Sequence, residues 1–72
     1  MNARFVFAYR SARRYVTWRE EYVRLALRRG VHPNVIADTI LRQQRRIGRR
    51  AMLIARELEL RDLERRGIRV RP

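Results

Sequence analysis

Residues 28–34 read Arg-Arg-Gly-Val-His-Pro-Asn, and this stretch divides the 72-residue chain into two helical segments. Arginines suit the negative end of a helix, Gly30 can adopt the left-handed cap conformation, and Val31 can close that cap with an apolar contact. Asn34 is the favoured N-cap of the next helix, although His32, followed by a proline at the first helical position, is an alternative. The stretch therefore predicts a tight bend between two helices.

Apolar residues before this bend recur every three or four positions. The main face carries Phe5, Ala8, Tyr9, Ala12, Tyr15, Val16, Val23, Ala26 and Leu27. This is the spacing of one face of an α-helix, and it predicts a helix over about residues 4–29. A second apolar line widens the face beyond what one neighbouring helix would cover. That line consists of Phe7, Trp18, Tyr22 and Leu25.

The segment after the bend has a stripe of the same kind. It passes through Ile36, Ile40, Gln44, Ile47, Ala51, Ile54 and Leu58. The stripe predicts one long helix over about 34–66, which ends where Arg-Arg-Gly-Ile at 65–68 repeats the signal at 28–31. Residues 67–72 are then a short C-terminal arm. Gly48 lies inside this helix, where a glycine costs about 1 kcal/mol relative to alanine.

An antiparallel hairpin with its bend at residues 30–33 fixes which residues of the two helices face each other. It places Gly48 opposite Tyr15, which favours close packing of the ring over a break in the helix. It also places Arg19 opposite Gln44, the two residues that interrupt the apolar stripes. We expect them to form a polar layer that fixes the register, with an outward-turned Arg19 as the alternative.

The predicted fold is all-α: an antiparallel two-helix hairpin, about 4–29 and 34–66, in a single small domain over 1–72. Two helices enclose no full core, and five apolar residues are left without a partner within the hairpin. They are Phe7, Trp18, Leu25, Leu53 and Leu60. Exposed apolar residues of this kind are typical of a protein interface. Homodimerisation into a four-helix bundle is one way to cover them, and docking on another protein is the other.

The composition restricts the chemistry. The chain has 19 Lys+Arg, all of them arginine, against seven acids, for a net charge of +12. Such a charge attracts polyanions, and arginine prefers phosphate and carboxylate. A GC-rich genome accounts equally well for the absence of lysine, but not for the net charge. With no cysteine and one histidine, we expect no disulfide and no metal site.

An enzymatic role is not expected. Ser11 is the only serine and has no histidine near it in sequence, and the chain has no glycine-rich phosphate loop. The acids Glu57 and Asp62 lie four residues before Arg61 and Arg66, which predicts surface ion pairs. We therefore expect no catalytic residues and no cofactor. No apolar run approaches the ~18 residues that a membrane span requires.

The stretch 42–50 has five arginines in nine residues and no acid. On a helix, one face would carry Arg42, Arg45, Arg46, Arg49 and Arg56, with Arg50 at its edge. Residues 1–50 hold 13 arginines and three acids, whereas 51–72 hold six and four, so the charge is segregated. We expect the five arginines to contact phosphates and Gln43 to reach a base edge or a phosphate. Trp18 and the tyrosines fit base stacking, core packing and a protein interface equally well.

This stretch resembles the arginine-rich helical motifs with which viral and phage regulatory proteins bind structured RNA. The resemblance is compositional and covers only part of the chain. The expected function is a non-enzymatic nucleic-acid-binding module, for RNA or DNA, in the cytoplasm or in a nucleoprotein assembly such as a virion. The alternative is a small helical subunit or modulator, of the kind that a phage or mobile element encodes, that docks on an acidic protein surface or within a larger assembly. A third, weaker alternative is that the basic first helix binds an anionic membrane surface.

Overall fold

Three α-helices make up the described part of the chain, which is residues 2–69 of a computed structural model. They are α1 (Ala3–Arg28), α2 (Pro33–Ile47) and α3 (Arg49–Arg65). The described residues contain no β-strand. The prediction of an all-α fold is confirmed, but the chain has one helix more than the sequence predicts.

The bend between α1 and α2 has the predicted cap of α1. Gly30 has φ 74°, and the Val31 N–H donates to the Ala26 carbonyl at 2.9 Å, which is the Schellman arrangement. The start of α2 follows the alternative rather than the favoured prediction. His32 is the N-cap, because its Nδ1 accepts a hydrogen bond from the Asn34 N–H at 3.0 Å. The proline that follows it has no N–H to satisfy and so fits the first helical position.

Gly48 ends α2 and precedes α3, so the predicted single helix over 34–66 is wrong. Its φ of 89° and ψ of 162° lie in a region of backbone conformation that is nearly exclusive to glycine. A Cβ built at Gly48 would meet no atom within 4 Å. The predicted close packing of Tyr15 against Gly48 is therefore wrong as well. The backbone conformation, and not a lack of space, accounts for the glycine.

After the break, α3 runs back along α1. Ala51 lines a groove together with Ala8, and Glu59 forms an ion pair with Arg19. As the chain advances along α3, its partner positions on α1 therefore also advance, and the two helices point in the same general direction. In the predicted hairpin, residue 59 would lie beside Arg4 instead. The antiparallel register does not extend beyond Gly48.

The core is small and consists mainly of alanine. Its buried members are Ala8, Ala12, Tyr15, Ala26, Ile36, Ala51 and Ala55. Alanines allow helices to approach closely but bury little apolar area. The accessible surface is 6365 Å², compared with about 4,800 Å² for a typical folded monomer of this mass. The molecule is a flat body of 43 × 31 × 18 Å with much surface left to cover.

Tyr15 connects the two polar residues of the apolar stripes. Gln44 Nε2 donates to the Tyr15 hydroxyl at 2.8 Å, whereas Arg19 forms its ion pair with Glu59. The predicted Arg19–Gln44 layer is therefore wrong, because α3 brings a carboxylate to Arg19. Burial by itself would lower the pKa of Arg19, but the hydrogen bond and charge attraction from Glu59 and the contact with Tyr15 raise it overall. The contribution of the charged Arg19 to the stability of the fold is present below the ordinary pKa of arginine and is lost as the pH rises through the raised pKa.

Gln44→Leu is expected to destabilise the fold, although it places an apolar residue on an apolar stripe. Tyr15 is 3% exposed, and a buried hydroxyl without a partner costs about 1–3 kcal/mol. Urea unfolding measures the change. Adding Tyr15→Phe to Gln44→Leu should recover part of the loss, because it removes the orphaned hydroxyl. A Gln44→Leu protein more stable than the wild type would contradict the assigned hydrogen bond.

The carboxyl end of α3 repeats the end of α1, as predicted. The Ile68 N–H donates to the Leu63 carbonyl at 3.0 Å. The two predicted ion pairs on this helix are also present, Glu57 with Arg61 at 3.7 Å and Asp62 with Arg66 at 3.1 Å. Of the predicted C-terminal arm 67–72, residues 70–72 lie outside the described residues.

Candidate nucleic-acid interface

Four arginines surround the break at Gly48. Arg45 and Arg46 lie in the last turn of α2, and Arg49 and Arg50 begin α3. All four are exposed, and none forms an ion pair with a described residue. We call these four arginines the Gly48 corner. Its positive charge is not neutralised by the part of the chain that the structure describes.

The local electrostatics of the corner are partly unfavourable. Arg45 and Arg46 suit the negative end of α2, but Arg49 and Arg50 lie at the positive end of α3. The first turn of α3 contains no acid, and no side chain caps its free N–H groups. The helix end therefore adds to the arginine charge. A bound anion would offset the positive charge of the helix end and that of the arginines.

The amino terminus of α1 extends this positive region. Arg4 lines a groove of about 490 Å³ together with Arg49, Arg50 and the ring of Phe7. The first turn of α1 also contains no acid, and its cap is Asn2. Because α3 runs in the direction of α1, the positive ends of both helices lie at the same side of the molecule. We call the groove that Arg4, Phe7, Arg49 and Arg50 line the corner groove.

The five predicted phosphate-binding arginines lie on two helices and not on the one helix that the sequence predicts. They are all exposed, but the break at Gly48 places three on α2 and two on α3: Arg42, Arg45, Arg46, Arg49 and Arg56. Arg42 forms an exposed ion pair with Asp38 at 3.0 Å. Arg56 lines a second cavity, of about 330 Å³, that also contains Glu59. Only Arg45, Arg46 and Arg49 belong to the Gly48 corner.

The five predicted interface residues are not gathered in one cavity. Phe7 is 75% exposed in the corner groove, and Leu53 is 60% exposed in the cavity with Arg56. Leu25 is exposed, whereas Trp18 and Leu60 are partly buried. Trp18 lines a third cavity, which contains none of the other four. The apolar surface is therefore distributed over the molecule.

Three aromatic rings form a ladder along α1. Trp18 and Tyr22 stack with ring centroids 5.2 Å apart and planes inclined by 5°. Tyr15 and Trp18 have centroids 6.1 Å apart and planes inclined by 38°. The third cavity exposes part of Trp18 and shares Ser11 with the corner groove. The ladder thus lies next to the positive region.

Sequence reasoning missed two arginines of this region and assigned Arg50 only to the edge of it. Arg4 and Arg14 belong to α1, and they reach the corner groove and the Trp18 cavity only because of how the helices pack. No spacing within one helix indicates that. For Arg50 a signal was present, because Gly48 could have been interpreted as a helix end.

Other kinds of site are not indicated within residues 2–69. No group of three or more histidine, cysteine or acidic side chains is placed there to hold a metal ion. None of the helices described is long and apolar enough to cross a membrane. Comparison of the chain with protein-family models, with curated proteins and with solved structures finds no match in any of the three.

Proposed function

We propose that this chain is a non-enzymatic, arginine-rich helical module that binds nucleic-acid phosphates through the Gly48 corner. One observation carries the proposal. The four corner arginines are exposed, have no acidic partner among the described residues, and surround a helix amino terminus that no side chain caps. Positive side chains at the positive end of a helix destabilise the fold locally. Such unfavourable arrangements are typical of functional sites, because a bound ligand offsets their free-energy cost.

Phosphate is a better match for the corner than an isolated carboxylate. Arginine binds phosphate with paired hydrogen bonds, and helix N–H groups favour the same anion. Residues 1–50 have a net charge of +10, so the field extends well beyond one ion-binding position. A polyanion with regularly spaced phosphates neutralises such a surface, and nucleic acid is the common example.

The dependence of affinity on salt tests the proposal. Fluorescence anisotropy of a labelled RNA hairpin and of a labelled DNA duplex gives the association constant at several salt concentrations. We expect a steep linear decrease of its logarithm with the logarithm of the salt concentration, with a slope of about −0.9 for each duplex phosphate neutralised. Salt-independent binding, or no binding to either probe, would rule the proposal out.

The exposed area favours a second candidate function, as a subunit that associates with itself or with another protein. The chain exposes about 1,600 Å² more surface than a folded monomer of its mass should. That excess is comparable to what one protomer buries in an obligate dimer. A homodimer of this chain would contain six helices rather than the four of the predicted bundle. An acidic partner protein would also neutralise part of the positive charge of the chain.

Light scattering of the nuclease-treated protein distinguishes these cases. A homodimer should show twice the 8.8 kDa of one chain. Phe7→Ser should then shift the mass toward that of the monomer, because Phe7 is 75% exposed and its loss leaves the core intact. Circular dichroism should show unchanged helicity. A monomeric mass at all concentrations tested would exclude self-association.

A further inference from the structure

The third cavity has the dimensions and the walls of a site for one planar ring. Its volume is about 230 Å³, and it is lined by Ser11, Arg14, Tyr15, Trp18, Gln43 and Ile47. Pockets for drug-sized ligands have volumes of ~300–1,000 Å³. The cavity is therefore too small to enclose a whole nucleotide, but it can accept a heterocyclic base.

The aromatic wall of this cavity is held in place. Tyr22 stacks on Trp18 but does not line the cavity, so the cavity reaches a part of the indole that Tyr22 leaves uncovered. Tyr15 is buried and fixed by its hydrogen bond from Gln44. A rigid ring loses little conformational entropy when a ligand stacks on it.

Three polar side chains around the ring have no partner among the described residues. The Ser11 hydroxyl, the Arg14 guanidinium and the Gln43 amide form no hydrogen bond and no ion pair with residues 2–69. The amide can donate to and accept from the edge of a base, and the guanidinium can bind the adjoining phosphate. An aromatic wall with such groups matches a nucleotide better than an apolar protein side chain, which offers none of the three a hydrogen bond.

The position of the cavity connects it with the phosphate site. Ser11 and Ile47 line both this cavity and the corner groove, so the two sites are adjacent. We propose that the cavity accepts an unpaired nucleobase of the nucleic acid bound at the Gly48 corner. The base stacks on Trp18, its edge meets Gln43, and its phosphate meets Arg14. This inference rests on the proposed function and makes it narrower: the target contains unpaired bases, because a base inside a duplex cannot reach the ring.

Trp18 is the only tryptophan of the chain, so its fluorescence reports on this site alone. The probes are a short single-stranded RNA, a duplex of the same sequence, and inorganic polyphosphate, which has phosphates but no bases. We expect the single strand to quench the fluorescence and polyphosphate to leave it unchanged. We also expect the single strand to bind about tenfold or more tightly than the duplex, from one stacked base.

Variants separate the base site from the phosphate site. Gln43→Ala and Trp18→Leu should lose most of the preference for the single strand, measured with labelled RNA, while the salt dependence stays the same. Trp18→Phe keeps a ring and should retain much of the preference, and circular dichroism controls for folding. Equal quenching by polyphosphate, or an unchanged preference in Gln43→Ala and Trp18→Leu, would overturn the base site alone. Absence of binding to all three probes would overturn the proposed function and the base site together.

Discussion

Replacing the four corner arginines by glutamine, in the variant Arg45→Gln, Arg46→Gln, Arg49→Gln and Arg50→Gln, is expected to lower duplex affinity by about three orders of magnitude in 0.15 M salt. This estimate assumes that each arginine neutralises one phosphate, so that the salt slope becomes shallower by about 3–4. The loss should shrink toward zero as the salt concentration approaches 1 M. Anisotropy titrations at several salt concentrations measure both quantities. Folding should be unaffected, because all four side chains are exposed.

A matched variant distinguishes the corner from general charge attraction. Arg61, Arg65, Arg66 and Arg69 are exposed at the other end of α3, and two of them are ion-paired. Replacing these four by glutamine removes the same net charge. We expect the salt slope to change by less than one unit in this variant, because these arginines lie away from the corner. An equal loss in both variants would show that the corner is not the binding site.

Gly48→Ala is expected to destabilise the three-helix arrangement by about 1–3 kcal/mol, because an L-residue is strained at φ 89° and ψ 162°. The added methyl group meets no atom within 4 Å, so the cost comes from the backbone alone. Alanine also favours a continuous helix through residue 48 by about 1 kcal/mol. For a domain of this size, each kcal/mol lowers the melting temperature by about 4–8 °C.

A change of stereochemistry provides the control for this prediction. A synthetic chain with D-alanine at position 48 adds the same methyl group, but its preferred φ is positive, so its stability should equal or exceed that of the wild type. In the L-alanine variant, small-angle scattering should detect a longer particle if α2 and α3 join. The Arg19–Glu59 ion pair would then be lost. An L-alanine variant as stable and as compact as the wild type would contradict the assigned backbone conformation.

The first helix, the bend after it and the carboxyl end of α3 could be predicted because their signals are local. The bend at residues 28–34, the two glycine caps and the ion pairs four residues apart all depend on neighbours within two helical turns. The N-cap of α2 was the exception. Asn34 has the better capping propensity, but the proline at position 33 fixes the start of the helix, so that His32 becomes the cap.

The break at Gly48 could not be decided from the pattern of apolar residues. The stripe through Ile40, Ile47 and Ile54 continues across it in step with one straight helix. A mid-helix glycine lowers local helix stability by only about 1 kcal/mol. Contacts between α1 and α3, such as Ala12 with Ala55 and Arg19 with Glu59, contribute free energies of similar size. The outcome therefore depends on packing that no short window of sequence contains.

The sequence by itself determined an all-α protein with a tight bend, a small core, a net charge of +12 and an arginine-rich stretch over 42–50. Composition and local periodicity are sufficient for these features. Only the tertiary structure decided that α3 turns back along α1, and that Arg4 of α1 lines a groove together with Arg49 and Arg50. The physical reason is that these placements follow from the backbone angles of one glycine. That conformation is set by long-range contacts and not by the residues next to it.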